Sequence, residues 1–171
     1  MPLIEFSEGQ MYPWVSHGHN LHRGRCFHGC SYCYAIKGRA SRFYTGPFYL
    51  KESELKVKYG SDKTIFIDYM VDLFANDVPG TDIALILQHC KEYPDNTYVF
   101  QTRNPKRIFN FAEMLPPKCF VGTTIETDRD DIIRKYSHTP HPYLRASSLA
   151  ELKELGLAQT TFVTVEPILK F

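Results

Sequence analysis

Strand-like and helix-like segments alternate along this chain, and that order constrains the possible fold more than any other feature. The strand-like runs are rich in β-branched and aromatic residues and lie at 12–21, 64–69, 97–102, 119–126 and 160–166. Between them, apolar spacing and capping residues predict helices at 34–43, 81–90, 105–114 and 148–155. No hairpin signal joins neighbouring strands, so the order predicts an α/β fold with parallel strands and helices packed outside.

Polar residues stand at the ends of the predicted strands. In chain order they are His17, His19, Asp68, Asp72, Gln101, Thr102, Thr124, Glu126 and Glu166. In barrel-like α/β folds the carboxyl ends of the strands meet at one edge, and functional sites are built there. Strand ends can also be polar simply because they meet water, so each residue alone is ambiguous. Together, and beside a cluster of cysteines, they favour a site.

Three of the five cysteines lie close together, at the spacing Cys26-x3-Cys30-x2-Cys33. Three thiolates on one loop can bind three irons of a 4Fe–4S cluster. No fourth cysteine follows at a matching spacing, so the fourth iron would keep an open position for another ligand. The loop therefore predicts a cluster site that binds and activates a second molecule.

Zinc and disulfide bonds are the two alternative uses of such cysteines. His22 and His28 lie near the loop, but structural zinc usually takes two separated pairs of ligands. Cys90 and Cys119 stand alone and are expected in the core. A disulfide framework suits small secreted chains, and nothing here indicates secretion. The alternative function that stays open is a non-catalytic zinc- or iron–sulfur-binding module that recognises nucleic acid or a protein partner.

The cysteine motif and its surroundings resemble those of the radical S-adenosylmethionine (SAM) superfamily over residues 14–169. An aromatic residue, here Tyr32, precedes the last cysteine, as it does in that superfamily. The flanks at 20–24 and 34–35 are similar to the spore photoproduct lyase-like branch and to related phage-encoded radical SAM proteins. Further similarity to that branch lies at 72–74, 101–105, 121–126 and 165–169.

This resemblance implies a partial (β/α) barrel of about five to six parallel strands with outer helices. It implies an enzyme whose 4Fe–4S cluster reduces bound SAM, giving methionine and a 5′-deoxyadenosyl radical that takes hydrogen from a substrate. The substrate is not identified, although the lyase-like resemblance points to something related to nucleic acid. A one-electron donor such as flavodoxin or ferredoxin is implied as a partner. No catalytic residue is assigned.

The resemblance assigns roles by position. Cys26, Cys30 and Cys33 are expected to bind iron as thiolates. Tyr32 is expected to pack near the adenine of SAM. Asp72 is a candidate acceptor for the SAM amino group, the alternative being a backbone carbonyl nearby.

Four more residues are expected at the SAM site. Thr124 and Glu126 suit the ribose hydroxyls, since a carboxylate can accept from two O–H groups. Arg145 suits the SAM carboxylate through a charge-assisted pair, with a surface helix position as the alternative. Thr102 is expected to face the same mouth and to contact SAM or substrate.

The net charge is +1, from 20 basic and 19 acidic residues, which argues against a general affinity for nucleic acid or membranes. One local set could form a basic aromatic surface for nucleic acid: Lys37, Arg39, Arg42, Phe43, Tyr44, Tyr49 and Lys51. The alternative for these residues is a solvated helix face with its aromatic rings in the core.

A chain of 171 residues is expected to form a single domain over 1–171, with 1–12 as a lead-in and 48–60 as an irregular insertion. The sequence shows no signal-peptide pattern at its start and no apolar run near the roughly 18 residues that span a bilayer, so we expect a cytoplasmic protein with reduced thiols. The barrel is expected to lack its last strand. Because an uncovered strand edge invites pairing, we expect a homodimer.

Overall fold

The computed structural model describes residues 3–7, 11–37 and 41–171. Its strands are β1 Ile4–Glu5, β2 His17–His19, β3 His22–Arg23, β4 Tyr49–Leu50, β5 Thr64–Ile67, β6 Thr97–Gln101, β7 Cys119–Thr124 and β8 Thr160–Thr164. Its α-helices are α1 Ser41–Tyr44, α2 Gly80–Lys91, α3 Asp130–Ile133 and α4 Pro142–Glu154. The 3₁₀ helices cover Tyr34–Ile36, Glu52–Lys56 and Pro105–Met114.

The main sheet has the strand order β1-β2-β5-β6-β7-β8. From β2 to β8 neighbouring strands are parallel, whereas β1 runs antiparallel to β2. β3 and β4 form a separate antiparallel pair. In the described part of the chain β1 and β8 are opposite edges, so the sheet is not closed. The predicted α/β fold, a partial barrel of parallel strands with outer helices, is therefore confirmed.

Helices cover the outer face of the sheet. Ile65, Phe100 and Val121 lie on neighbouring strands and are buried in one cluster with Ile86 of α2 and Leu152 of α4. Successive side chains of a strand point to opposite faces, so these residues share the face that the helices cover. Full burial of one such side chain stabilises the fold by roughly 1.5–3 kcal/mol. This cluster is the main hydrophobic core.

Aromatic rings cover the inner face. Phe66 of β5 is buried and packs with Tyr12, Phe120 and Phe162. The rings of Tyr12 and Phe162 meet edge to face, with centroids 5.7 Å apart. Gly122 of β7 makes room for them, because a Cβ at this position would lie 2.2 Å from the Phe162 ring. Apolar residues on both faces explain why the strands read as continuous apolar runs.

Three helix predictions differ from the structure. α4 begins at Pro142 rather than 148, because proline fits the first helical position and the His141 ring accepts a hydrogen bond from Tyr143 N at 3.0 Å. The helix predicted at 105–114 is a 3₁₀ helix with a kink at Phe111. The helix predicted at 34–43 is a 3₁₀ turn followed by α1, and 38–40 lie outside the described residues.

Short antiparallel strands are the feature that the strand predictions missed. The lead-in contributes β1, and the predicted strand 12–21 shrinks to β2. The insertion 48–60 contains β4, which pairs with β3. Neither pair has a tight turn, so no hairpin signal could reveal it. Because the cysteine loop lies between β3 and β4, their pairing closes the base of that loop.

The carboxyl ends of the parallel strands meet at one edge of the sheet. The segments that leave this edge include 68–72 after β5, 101–103 after β6, 124–126 after β7 and 164–166 after β8. The cysteine loop follows β3 at the same edge. In the part of the chain that is described, no helix is both long and apolar enough to cross a membrane.

Candidate functional site

A cavity of about 960 Å³ opens at this edge of the sheet. Cys26, Cys30 and Cys33 line it, and Phe66 and Tyr12 contribute apolar surface from the inner face. Its polar lining comes from strand ends: Asp68, Asp72, Gln101, Thr102, Arg103, Thr124, Thr164 and Glu166. Pockets for small molecules and cofactors commonly measure about 300–1,000 Å³, so this one has room for a nucleotide-sized ligand.

Two tight turns shape the cysteine loop. Gly29 N donates to Cys26 O at 3.3 Å, and Cys33 N donates to Cys30 O at 3.1 Å. Gly29 has φ +58°, in the left-handed region that glycine adopts without steric cost. All three thiols are free and partly exposed. The predicted spacing thus brings three unpaired thiols to one cavity.

Asp72 holds the cysteine loop against the sheet. Its Oδ2 lies 2.7 Å from His28 Nε2 and accepts from Arg103 N at 2.7 Å, and its Oδ1 accepts from Phe74 N at 2.9 Å. Burial by itself raises the pKa of Asp72, but His28 and these hydrogen bonds outweigh it, so the pKa is lowered. Asp72 therefore stays charged and lines the cavity, with most of its acceptor capacity already used inside the chain.

The segment after α3 holds the loop from the other side. Ser31 N donates to Tyr136 O at 2.8 Å, and His138 N donates to His28 O at 2.8 Å. The loop backbone is therefore bonded to a segment more than a hundred residues further along the chain. Such fixed loop geometry suits a group that must receive three thiolates at once.

Glu126 collects three side chains in a buried polar cluster. Its Oε1 accepts from Tyr32 Oη at 2.7 Å and also contacts the Arg103 guanidinium. Its Oε2 accepts from Arg145 Nη1 at 2.8 Å. Burial raises the pKa of Tyr32 to about 12, so its hydroxyl remains a donor at neutral pH. The structure thus connects the aromatic residue of the cysteine motif to the end of β7.

Arg145 and Glu126 are fully buried and do not line the cavity. Burial and the nearby Arg103 charge lower the pKa of Arg145 to about 10, which still leaves it charged at neutral pH. Within the described residues, its Nε and Nη2 have no hydrogen-bond partner. The predicted contacts of Arg145 and Glu126 with SAM stay predictions, and in this structure the two residues are each other's partners.

Thr102 and Thr124 line the cavity, as predicted for residues at the strand ends. Their hydroxyls already have partners, because Thr102 Oγ1 accepts from Asn104 N at 2.9 Å and Thr124 Oγ1 accepts from Gln101 Nε2 at 3.0 Å. Gln101 Nε2 also donates to Thr164 Oγ1 at 2.9 Å. These contacts link β6, β7 and β8 across the inner face. The two threonines can contact a ligand with the lone pairs and methyl groups that remain.

Burial and the Asp72 carboxylate raise the pKa of the Cys26 thiol to about 12. A thiol with this pKa keeps its proton at neutral pH, so it would give up that proton on binding a metal. Among the described residues, no group of three or more His, Cys, Asp or Glu side chains converges on a point that could hold a single metal ion.

Two residues without a predicted role, His28 and Arg103, line the cavity and also support the cysteine loop. His28 lies within the cysteine loop, and nothing in the local sequence indicates that it pairs with Asp72. Arg103 could have been predicted as a site residue from the sequence, because it directly follows Thr102 at the end of a predicted strand. His19 and Asp68, which also end strands, are buried and paired within the fold.

Comparison with known proteins agrees with this architecture. Residues 11–170 match the family described as "Protein of unknown function (DUF5131)". No curated protein matches the chain. Spore photoproduct lyase complexed with dinucleoside spore photoproduct has a similar structure, with a TM-score of 0.68 at 14% identity, over 97% of this chain and 49% of that chain. A mutant of that lyase with bound AdoMet and dinucleoside spore photoproduct has a TM-score of 0.65 at 14% identity, over 90% of this chain and 46% of that chain.

This chain spans about half the length of the lyase chains that it matches. Identities this low establish similarity of fold, and the expected resemblance to the radical SAM enzyme spore photoproduct lyase is confirmed at that level. The cavity, the cysteine loop and the open sheet thus lie in a fold similar to that of spore photoproduct lyase. The chain belongs to the family described as protein of unknown function DUF5131.

Proposed function

We propose that this protein is a radical SAM enzyme, with a 4Fe–4S cluster bound by Cys26, Cys30 and Cys33 and SAM bound in the adjoining cavity. The observation that supports this most is the position of the three free thiols. They line one cavity of about 960 Å³ at the carboxyl edge of a sheet whose fold resembles that of spore photoproduct lyase.

The residues present fit the cluster. Soft thiolates are the ligands that iron–sulfur clusters take, and these three cysteines are free and partly exposed. In a cube each thiolate binds a different iron, and three free thiols that line one cavity are the ligand set we propose for it. The bound cluster would supply one electron to SAM, whose cleavage gives methionine and a 5′-deoxyadenosyl radical for hydrogen abstraction.

The chain's own residues prepare the site. Asp72 and the segment with Tyr136 and His138 fix the cysteine loop from two sides. Phe66 and Tyr12 give the cavity an apolar surface on the side of the sheet.

The predicted SAM contacts divide into two groups. Tyr32, Asp72, Thr102 and Thr124 line the cavity, and we propose them as the residues that contact SAM directly. Glu126 lies behind Tyr32, paired with Arg145. A small one-electron donor such as flavodoxin or ferredoxin remains our proposal for the partner that supplies the electron.

Anaerobic reconstitution with iron and sulfide tests the proposal. We expect about four irons per chain, a broad absorption near the visible region that dithionite bleaches, and 5′-deoxyadenosine after SAM is added. Single Cys26→Ala, Cys30→Ala and Cys33→Ala variants should each lose most of the iron. Cys90→Ala and Cys119→Ala are the matched controls, because both thiols are buried in the core and should leave iron binding intact.

Iron binding that does not depend on the three loop cysteines would overturn the proposal. So would stoichiometric zinc without iron in protein prepared without oxygen. Reconstituted protein with four irons that forms no 5′-deoxyadenosine would support the cluster but contradict the proposed enzymatic reaction.

A further inference from the structure

The near-zero net charge hides an uneven distribution of charge along the chain. Residues 20–51 contain six of the 20 Lys and Arg residues and none of the 19 Asp and Glu residues. The rest of the chain is therefore acidic overall. This basic segment is also the segment that carries the cysteine loop.

The fold gathers the described part of this segment at the mouth of the cavity. Gly24 N donates to Phe43 O at 2.8 Å, and Arg25 N donates to Gly46 O at 2.9 Å. Tyr49 pairs with Arg23 across β3 and β4. α1 and β4 therefore lie beside the start of the cysteine loop. We call the exposed side chains of this surface the basic rim: Arg25, Tyr34, Lys37, Arg42, Phe43 and Tyr49.

The cations of the basic rim are not neutralised by the part of the fold that the structure describes. Arg25, Lys37 and Arg42 are exposed, and none of them forms an ion pair with a described residue. Lys51 differs from the prediction, because its Nζ lies 2.7 Å from Glu54 Oε1 and is already paired. Arg39, the remaining predicted cation, lies outside the described residues. Three cations that have no ion-pair partner among the described residues are therefore available to an anionic ligand.

Exposed aromatic rings accompany these cations. Tyr34 is 63% exposed, Tyr49 54% and Phe43 39%, whereas Tyr44, predicted with them, is buried at 2%. The Arg42 guanidinium lies 4.8 Å from the centre of the Phe43 ring. Tyr34 also lines the cavity, so the aromatic surface continues into it. Rings interspersed with cations are the combination that binds bases and phosphates of an unpaired strand.

We propose that the basic rim binds single-stranded nucleic acid and leads one nucleotide into the cavity. The cations would contact phosphates, and the exposed rings would stack on unpaired bases, which a duplex does not offer. Binding itself depends only on this surface. That the bound strand is the substrate rests on the proposed function.

An acidic protein is the competing occupant, because a small electron carrier would also be attracted by the cations. The binding of such a carrier does not require three exposed aromatic rings, nor that one of these rings line the cavity. The observations therefore favour nucleic acid, and the experiment separates the two.

Fluorescence anisotropy of the reconstituted protein with a labelled oligothymidylate of roughly 12 nucleotides, and with an RNA of equal length, tests the proposal. The triple variant Arg25→Glu, Lys37→Glu, Arg42→Glu should bind at least about 10-fold more weakly, with a slope of log affinity against log salt about 2 units shallower. The control is Lys58→Glu, Lys91→Glu, Lys118→Glu. These residues precede β5, β6 and β7 at the opposite edge, and the net charge changes equally.

Single Phe43→Ala and Tyr49→Ala variants keep every charge and should each weaken binding about 5-fold or more through lost stacking. Equal weakening by both triple variants would reduce the effect to net charge and overturn the proposal. Unchanged oligonucleotide binding in the rim triple variant would overturn it too. If that variant also can no longer be reduced by flavodoxin, the rim is instead the surface that binds the electron carrier. Iron content and 5′-deoxyadenosine are measured separately, so failure of the proposed function is recognised independently.

Discussion

At the scale of single residues, burial decides how the ionisable side chains behave. His19 is 1% exposed, its Nδ1 lies 2.8 Å from Tyr59 Oη, and its Nε2 lies 3.1 Å from Glu54 Oε2. A neutral ring satisfies both contacts, since Nδ1 can accept from the tyrosine O–H while Nε2–H donates to the carboxylate. Burial lowers the pKa of His19 to about 4. His19, predicted as a strand-end site residue, is thus a neutral hydrogen-bonding residue of the fold.

The pH dependence of stability tests this assignment. The unfolded chain takes up a proton at His19 near pH 6.5, whereas the folded chain does so only near pH 4, so stability is lost as the pH falls between these values. From pH 7 to pH 5 the native protein should lose about 2 kcal/mol more of its unfolding free energy than a His19→Gln variant. Urea unfolding at both pH values measures the difference. An equal loss in both proteins would contradict a neutral His19.

At the scale of elements, the cysteine loop is held by the ends of three strands and by the segment after α3. Asp72 follows β5, Arg103 follows β6 and Glu126 follows β7, and each contacts the loop through a side chain or its backbone. Glu126 also neutralises Arg145 in α4. The loop geometry is therefore a property of the whole carboxyl edge of the sheet.

Substitutions in this cluster should change cluster binding without touching a cysteine. Glu126→Gln leaves Arg145 buried without its counter-ion and should cost about 3–5 kcal/mol of stability. Tyr32→Phe removes the hydroxyl that donates to Glu126 and accepts from Arg103, two hydrogen bonds to charged groups at a cost of about 1.5–3 kcal/mol each, and should lower the iron retained after reconstitution. Tyr143→Phe is the matched control, because Tyr143 is 72% exposed. Iron content and thermal unfolding are the two measurements.

If the Tyr32→Phe variant is destabilised but still binds as much iron as the native protein, the hydroxyl contributes only to fold stability and not to cluster binding. Loss of iron in Tyr143→Phe would show that the assay does not report on this cluster of side chains.

At the scale of the whole molecule, the two edges of the sheet differ. β1 is a two-residue strand, whereas β8 has five residues and pairs with β7 alone among the described strands. Val163 and Val165 at this edge are 50% and 47% exposed. Unpaired backbone groups beside exposed apolar side chains invite another strand.

The homodimer expected from the sequence remains our proposal, with β8 of one copy beside β8 of the other in a two-fold arrangement. Sedimentation equilibrium should give twice the mass of one chain. Val163→Lys with Val165→Lys should shift the protein toward the monomer, because charges on an edge strand oppose pairing. Lys substitutions at Leu144 and Ser147, on an exposed face of α4, serve as the control. A monomer at all concentrations would remove the proposal.

The sequence by itself determined the alternation of strands and helices, the edge at which polar residues collect, and the spacing of Cys26, Cys30 and Cys33. These features depend on local periodicity and on neighbours a few positions apart, which a sequence displays directly. Only the tertiary structure decided that Asp72 holds His28, that Glu126 neutralises Arg145, and that Lys51 is paired while Arg42 is not. Those partners lie far apart along the chain, and their burial, which sets their charge and their hydrogen bonds, arises only when the strands and helices pack together.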